Sequence, residues 1–498
     1  MCDVNVHNRG EVIKLSAEKG EILFNLLREH GINVYSPCGG KGTCGKCKVY
    51  VKGQGTETSC QYYVAESIEV ILPDQREARI LTTQHQLTLE LPADPGTVQH
   101  LSNRPFGIAI DLGTTTLVSY LVNLSNGTLL ETHSMLNPQI SFGADVISRI
   151  HYAASTPAGL KEMHDAIISA INYQVDHFRH LIHCSGNDLV KITVAGNNTM
   201  LHLLLGEDPS SMGQAPYLPM FTDKQKRKGK ELGLHVHPES EITLLPSVSA
   251  FVGADIVAGI GSIRPTGNYK KYLFMDLGTN GELALVTPDS VRCCATAAGP
   301  VFEGASISCG MGGVAGAIAE FSSQGYRVIG DELPIGLCGS GLVDVIAFLL
   351  ESRRIDNTGL LSGRFEIVPE SHSGTGKAIF LDQPDVRQFQ LAKSAIASGI
   401  IILLKQAGIL FEDLDALFLA GGFGNYLNVE SAVKTGLIPL QMKDKVVSLG
   451  NTAGTGAMLA LRSELFSNVL YDILRRTKHI ELSEDEDFPV QFAVNMDF

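Results

Sequence analysis

Two stretches of this chain repeat one another at long range. Residues 107–122 read GIAIDLGTTTLVSYLV, and residues 272–287 read YLFMDLGTNGELALVT. Each is an apolar run ending in D-L-G-T, followed by a second apolar run, which predicts two strands joined by a tight turn. A second echo comes later in each case: VAGNNTML at 194–201 and LAGGFGNYL at 419–427. Motifs recurring in the same order at wide separation predict a duplicated unit. Helical stripes at 162–182 and 389–408 alternate with the apolar runs, so both copies are expected to be α/β.

The first 80 residues are of another kind. Alternation over residues 3–15 around Asn8-Arg9-Gly10 predicts a hairpin, and Ile22, Leu23, Leu26 and Leu27 form a helical stripe ending at Gly31. Lys48–Val51 and Ser67–Leu72 read as strands. After the helical stripe, and running through the first of these strands, comes SPCGGKGTCGKCKVYVKGQGTETSC, with Cys38, Cys44, Cys47 and Cys60 spaced C-x5-C-x2-C-x12-C. Thiolates grouped on a glycine-rich loop can ligate an iron–sulfur cluster. Gly39, Gly40, Gly42 and Gly45 suit that use, because glycine turns the backbone through positive φ without steric cost. Cys60 is the expected fourth ligand, with Cys2 and cysteines far along the chain as the alternatives.

Composition narrows the function. A chain of 498 residues exceeds one core, and two to four domains are expected. A formal net charge of −14 without a basic run argues against a nucleic-acid partner. No apolar span is long enough for a membrane helix, and MCDVNVHNRGEVIK lacks the pattern of a signal peptide, so the cytoplasm is the expected compartment. Ten cysteines in such a chain then point to metal ligation or reduced thiols rather than a disulfide framework.

The D-L-G-T turns have a chemistry of their own. Gly113 and Thr114, Thr115 and Thr116 can offer N–H groups and hydroxyls to phosphate oxygens, as can Gly278, Thr279 and Asn280. Asp111 and Asp276 end the first strand of each copy, where a carboxylate can hold Mg²⁺ through water and orient a hydrolytic water. Gly421, Gly422, Phe423 and Gly424 follow an apolar strand and leave bare backbone for a purine and its ribose. Gly339, Ser340 and Gly341, in GLCGSGLVD, suit a third phosphate or hinge loop. Asn451 is a good helix cap, and Gly454 and Gly456 suit a close helix crossing.

Asp111–Thr116, Asp276–Gly281 and Gly421–Gly424 together resemble the two phosphate loops and the adenosine loop of the actin, sugar-kinase and heat-shock-chaperone ATPase superfamily. The helix 390–406, with Gly399, and the helix after Asn451 resemble its two connecting helices. With the cysteine unit in front, and with NPQISFGADVISRI, TAAGPVFEGASI and GLCGSGLVD, nearly the whole chain resembles the reductive activators of corrinoid proteins. That resemblance implies a β-grasp ferredoxin-like [2Fe–2S] domain over 1–80, a linker over 81–106, and a duplicated, ribonuclease-H-like, two-lobed ATPase. The lobes are expected over 107–245 and 246–470, with a C-terminal tail over 471–498. It implies ATP with Mg²⁺ and one-electron reduction of Co(II) to Co(I) in a corrinoid protein of a methyltransferase or demethylase system. An upstream low-potential electron donor is implied too, and a homodimer is left open.

The chain departs from the family pattern in places. The gap between Cys38 and Cys44 exceeds the plant-type spacing by one. The linker leaves little room for a further middle domain. Gly312 stands where relatives are expected to carry arginine, which would alter a contact to partner or nucleotide. Three other readings compete: an ATP-driven electron injector of the radical-dehydratase type, a redox-sensing module that uses nucleotide only as a clamp, and a small-molecule kinase, in which a cluster would have no purpose. The first binds its cluster between ATPase subunits, without a ferredoxin domain.

Overall fold

The computed structural model describes residues 1–8, 11–32, 34, 36, 39–40, 42, 46–72, 90–92, 101–155, 157–264, 268–278, 280–330 and 332–498. Cys38, Cys44, Gly45, Thr279 and most of the expected linker lie outside the described residues.

The N-terminal unit is a five-stranded sheet with one short helix. Its strands are β1 (Cys2–Asn8), β2 (Glu11–Ala17), β3 (Lys48–Val51), β4 (Gly55–Thr58) and β5 (Ile68–Ile71), in the order β2-β1-β5-β3-β4. Helix α1 (Leu23–Glu29) buries Leu23, Leu26 and Leu27 of the predicted stripe and adds Phe24, while Ile22 precedes it as the N-cap, and the helix stops where Gly31 takes φ +71°. Strand alternation puts Val4, Val6, Val49, Val51 and Val70 into the same core.

Residues 106–262 form a second sheet. Its strands are β6 (Phe106–Leu112), β7 (Thr116–Asn123), β8 (Thr128–Leu136), β9 (Leu189–Gly196), β10 (Gln225–Lys228) and β11 (Glu241–Leu244), in the order β8-β7-β6-β9-β11-β10. The helices are α2 (Val146–Ser155), α3 (Gly159–Leu181), α4 (Asn198–Leu205) and α5 (Ala254–Ser262). A third sheet follows: β12 (Tyr272–Leu277), β13 (Gly281–Val286), β14 (Val291–Thr296), β15 (Ala416–Ala420), β16 (Val446–Gly450) and β17 (Thr477–His479), in the order β16-β15-β12-β13-β14-β17. Its helices include α6 (Gly339–Glu351), α7 (Gln383–Ala407), α8 (Asn428-capped Val429–Lys434) and α9 (Thr452–Arg462).

The two larger sheets share one plan. In each, three antiparallel strands are followed by two parallel ones on the other side of the first strand. The register repeats as well: Asp111 lies opposite Ala195, and Asp276 lies opposite Ala420. The sequence echo is therefore a structural echo down to single residues.

Helices α5 and α9 pack between the two sheets. A Cβ on Gly456 would come within 2.3 Å of the Ala258 carbonyl oxygen, and one on Gly259 within 2.8 Å of Thr452 Oγ1. Small residues here are what let the two backbones touch. Phe274, Ala284 and Phe418 of the third sheet join this layer, while their neighbours Leu273, Met275 and Leu283 face α6 and α7 on the other side. The expectation for residues 390–406 is corrected here. Gly399 of α7 packs on Leu283 and Thr296 behind the third sheet, and the crossing partner of α9 is α5.

Residues 471–498 are woven into the same body. The strand β17 adds to the edge of the third sheet beside β14. Helix Phe488–Val494 lies on α7, where Ser394 and Gln390 donate to the Phe492 and Met496 carbonyls and Phe498 stacks on Phe389. The acidic run is tied down at Asp487 by Lys405 and at Asp485 by Gln406.

Candidate functional site: an acid-lined cleft beside a thiol hairpin

The repeated turns face one another across a cavity of about 240 Å³ between the second and third sheets. Asp111, Gly113, Thr114, Thr115 and Thr116 line one wall; Asp276, Gly278 and Asn280 line the other. Each turn is closed by the N–H of its glycine, Gly113 to the Thr116 carbonyl three residues on at 2.9 Å and Gly278 to the Asn280 carbonyl two residues on at 3.0 Å. Gly339 and Ser340 open α6 at the cavity, and Gly421, Gly422 and Phe423 line it beside them and Asp276. Gly341 and Gly424 are not among the lining residues. A Cβ on Gly341 would strike the Ile318 carbonyl at 2.3 Å and one on Gly424 the Leu419 side chain at 3.1 Å, so both serve packing.

Several lining residues escaped the motif reading. Asn197 and Asn451 cap α4 and α9, accepting from the Met200 and Gly454 N–H groups, and their amides reach into the cleft. Asn197 donates to Thr114 Oγ1 at 2.9 Å; Asn451 donates to Asp111 Oδ2 at 2.7 Å. Asp255 starts α5, and Glu282 stands directly opposite Asp276 in the β12–β13 ladder. Each was visible as a lone acid in an apolar run, FVGADIVAGIGS and GELALV. Glu303 reaches across from the third-sheet side and accepts from Thr115 Oγ1 at 2.8 Å.

The first turn is held from behind by a buried arginine. Arg149 of α2, wholly inaccessible to solvent, donates to the carbonyls of Thr114 (2.5 Å) and Gly143 (2.9 Å). Burial pulls its guanidinium down to about 9, with Asp145 and Glu303 opposing. Asn137 adds a bond to the Gly113 carbonyl at 2.8 Å.

The four acids dominate the electrostatics. Loss of water raises Asp111 to about 6, against the Asn451 bond. It raises Asp255 to about 7, helped by Asp111. Asp276 goes to about 8, from burial and then from the charges of Asp255, Asp111 and Glu303. Glu282 rises well above the carboxylate range for the same reasons. Like charges facing across a ladder destabilise the protein unless a proton or cation intervenes. This donor set therefore fits a divalent ion that arrives with its own phosphate and water ligands. Among the described residues no three His, Cys, Asp or Glu side chains converge as a ready-made metal cage.

On the N-terminal unit, Cys47 and Cys60 lie at neighbouring positions just beyond the β3–β4 hairpin. The Cys47 carbonyl accepts from both the N–H (2.8 Å) and Oγ (2.9 Å) of Ser59, and both thiols are buried. Gly39, Gly40 and Gly42 take φ +61°, +82° and +77°. A Cβ on Gly40 would enter the Phe24 ring at 2.6 Å. Soft thiols on such a backbone fit iron. Cys2 sits opposite Ala17 on β1, with β5 between it and the hairpin.

Two like-built sheets about an acid-lined cleft define a class, and residues 270–498 match the family description "C-terminal domain of RACo the ASKHA domain". Residues 106–264 match "RACo middle region". The chain is 33% identical to the corrinoid activation enzyme RamQ of Eubacterium limosum over 98% of both chains. It is 27% identical to a [Co(II) methylated amine-specific corrinoid protein] reductase of Methanosarcina barkeri, over 77% of this chain and 75% of that one. A solved structure of a reductive activator for corrinoid, iron–sulfur protein superposes with a TM-score of 0.72 at 27% identity, covering 100% of this chain and 98% of the other. The chain belongs to the family of reductive activators of corrinoid proteins.

Proposed function

We propose that this chain is an ATP-hydrolysing activator that returns Co(II) of an inactivated corrinoid protein to Co(I). One observation carries the reading: a thiol-bearing unit and an acid-lined cleft share one chain, matched end to end by a corrinoid activation enzyme.

Residues 1–80 are read as a ferredoxin-like β-grasp domain, with Cys38, Cys44, Cys47 and Cys60 as ligands of a [2Fe–2S] cluster. Such a cluster supplies one electron at about −400 mV. Gly39, Gly40 and Gly42 supply the positive-φ turns of the loop, and the Cys47 and Cys60 thiols are themselves buried.

In the cleft, with Gly113 and Gly278 closing the two turns, Thr114 to Thr116, Asn280 and the positive end of α6 at Gly339–Ser340 present N–H groups and hydroxyls to a triphosphate. Thr279 belongs to that set. Gly421, Gly422 and Phe423 offer the purine a flat approach. Mg²⁺ carried in with the nucleotide supplies the positive charge that Asp111 and Asp276 lack. Asp111 is held in place by Asn451, and either acid can orient the attacking water.

The cobalt reduction runs uphill from such a donor, and each 59 mV of one-electron gap is tenfold in equilibrium constant. Nucleotide binding displaces that equilibrium only through a difference in affinity between states of the complex. A corrinoid protein of a methyltransferase system is the partner, with an upstream low-potential donor. No described helix is long and apolar enough to cross a membrane, and a cytoplasmic setting suits the thiols.

The test mixes anaerobically purified protein with a chemical reductant, Mg-ATP and a Co(II) corrinoid protein. Co(I) absorbance should rise only when ATP is present. Absence of Co(I) from protein that holds iron and hydrolyses ATP would overturn the proposal.

A further inference from the structure

Lys46, one residue before Cys47, reaches across to the third-sheet side of the cleft. Its ammonium donates to three carbonyls: Gly304 at 2.7 Å, Gly310 at 3.2 Å and Ile307 at 3.3 Å. Three acceptors match the three N–H donors of an ammonium. All three belong to one tightly wound turn. Gly304 takes φ +75°, and a Cβ on Gly310 would sit 2.3 Å from the Gly304 carbonyl oxygen.

Both ends of that turn line the cleft, Phe302 and Glu303 before it and Gly312 to Val314 after it. Glu303 bonds Thr115 of the opposite wall. One peptide therefore separates the carbonyl gripped by Lys46 from the carboxylate that bridges the cavity. A second seat lies on the other side of the same loop. A Cβ on Gly39 would meet the Phe142 carbonyl at 3.0 Å, next to the Gly143 carbonyl through which Arg149 is braced against Thr114.

We propose that Lys46 is a positioning residue that couples nucleotide occupancy of the cleft to the seating of the thiol loop; this rests on the reading of both sites given above. Phosphates entering between Thr115 and Glu303 compete for their hydrogen bond. A displaced Glu303 carries the Gly304 carbonyl with it, and Lys46 loses acceptors. In the other direction, an electron received through Cys47, the next residue in the chain, would add negative charge that competes with the carbonyls for the Lys46 ammonium. Linkage makes the two effects equal in size.

The experiment uses the full chain, prepared anaerobically, as wild type, Lys46→Met and Lys46→Arg. A non-hydrolysable ATP analogue is titrated by calorimetry into oxidised and reduced protein, and the cluster potential is measured with and without it. Wild type should show an affinity ratio of about fivefold or more between redox states, with a matching shift in potential. Lys46→Met should keep its iron and its melting temperature but show a ratio near one, and Lys46→Arg should recover part of it. Lys46→Gln replaces Lys46→Met should the latter fail to fold. A ratio unchanged in the Met or Gln variant overturns the coupling, as does a wild type that holds iron and binds the analogue with no ratio. A wild type without iron or without nucleotide binding overturns the site readings themselves, and the coupling falls with them.

Discussion

Asn451 donates its side-chain N–H to Asp111 at 2.7 Å, although the two stand 340 residues apart in the chain. The same amide group caps α9 through its oxygen. One side chain thus fixes α9, which packs between the two sheets, to the acid of the second sheet.

Asn451→Ala removes a cap and strands a buried carboxylate. The loss should be about 2–4 kcal/mol, from a cap of about 1 and an unmet acceptor of about 1–3. Urea unfolding checks it through the midpoint, with the slope unchanged. The pKa of Asp111 should rise further, because the bond that lowers it is gone.

Asp276 titrates near 8 in the folded chain, against 3.8 for the free side chain. Between about pH 4 and pH 8 the folded state keeps a proton that the unfolded chain has lost. Stability of nucleotide-free protein therefore falls as pH rises through that window. Asp276→Asn should flatten this part of a melting-temperature profile. Mg-nucleotide competes with the same protons, so its affinity should increase from pH 6 to pH 8, by roughly up to tenfold per unit for each proton released.

Cys60→Ser should lower iron per chain and bleach the visible absorbance, whereas Cys2→Ser should leave both intact. Metal analysis and electron paramagnetic resonance of reduced protein check this. Loss of signal in the Cys2 variant alone would move the fourth ligand to β1.

Gly312 lines the cleft, and nothing lies within 4 Å of a Cβ built there. Gly312→Arg should fold normally, within about 0.5 kcal/mol of wild type. It would set a cation before the four acids and tighten nucleotide binding about three- to tenfold at low salt, less at high salt. Calorimetry at two ionic strengths separates this from a packing effect.

Much of the architecture was written locally. The D-L-G-T turns, the hairpin, the α1 stripe and the Asn451 cap depend on neighbours within a few residues, so periodicity and turn chemistry suffice to place them. The assignment of a connecting helix went astray because a glycine marks close approach without saying to what. Gly399 touches its own sheet, while Gly259, in a segment with no polar face, touches α9. Asp255 and Glu282 left only the faint mark of single acids in apolar runs.

By itself the sequence determined which chemistries are on hand: thiols on a glycine loop, and two acids each ending a strand before a phosphate-type turn. Those follow from residue type and spacing, which survive in any conformation with the right local turns. Only the tertiary structure decided which groups meet. It set Glu282 against Asp276, Asn451 against Asp111, and Lys46 on a turn that begins 258 residues later at Gly304. Burial then moved the acids toward neutral pH, because the cost of a charge depends on what surrounds it and not on its place in the chain.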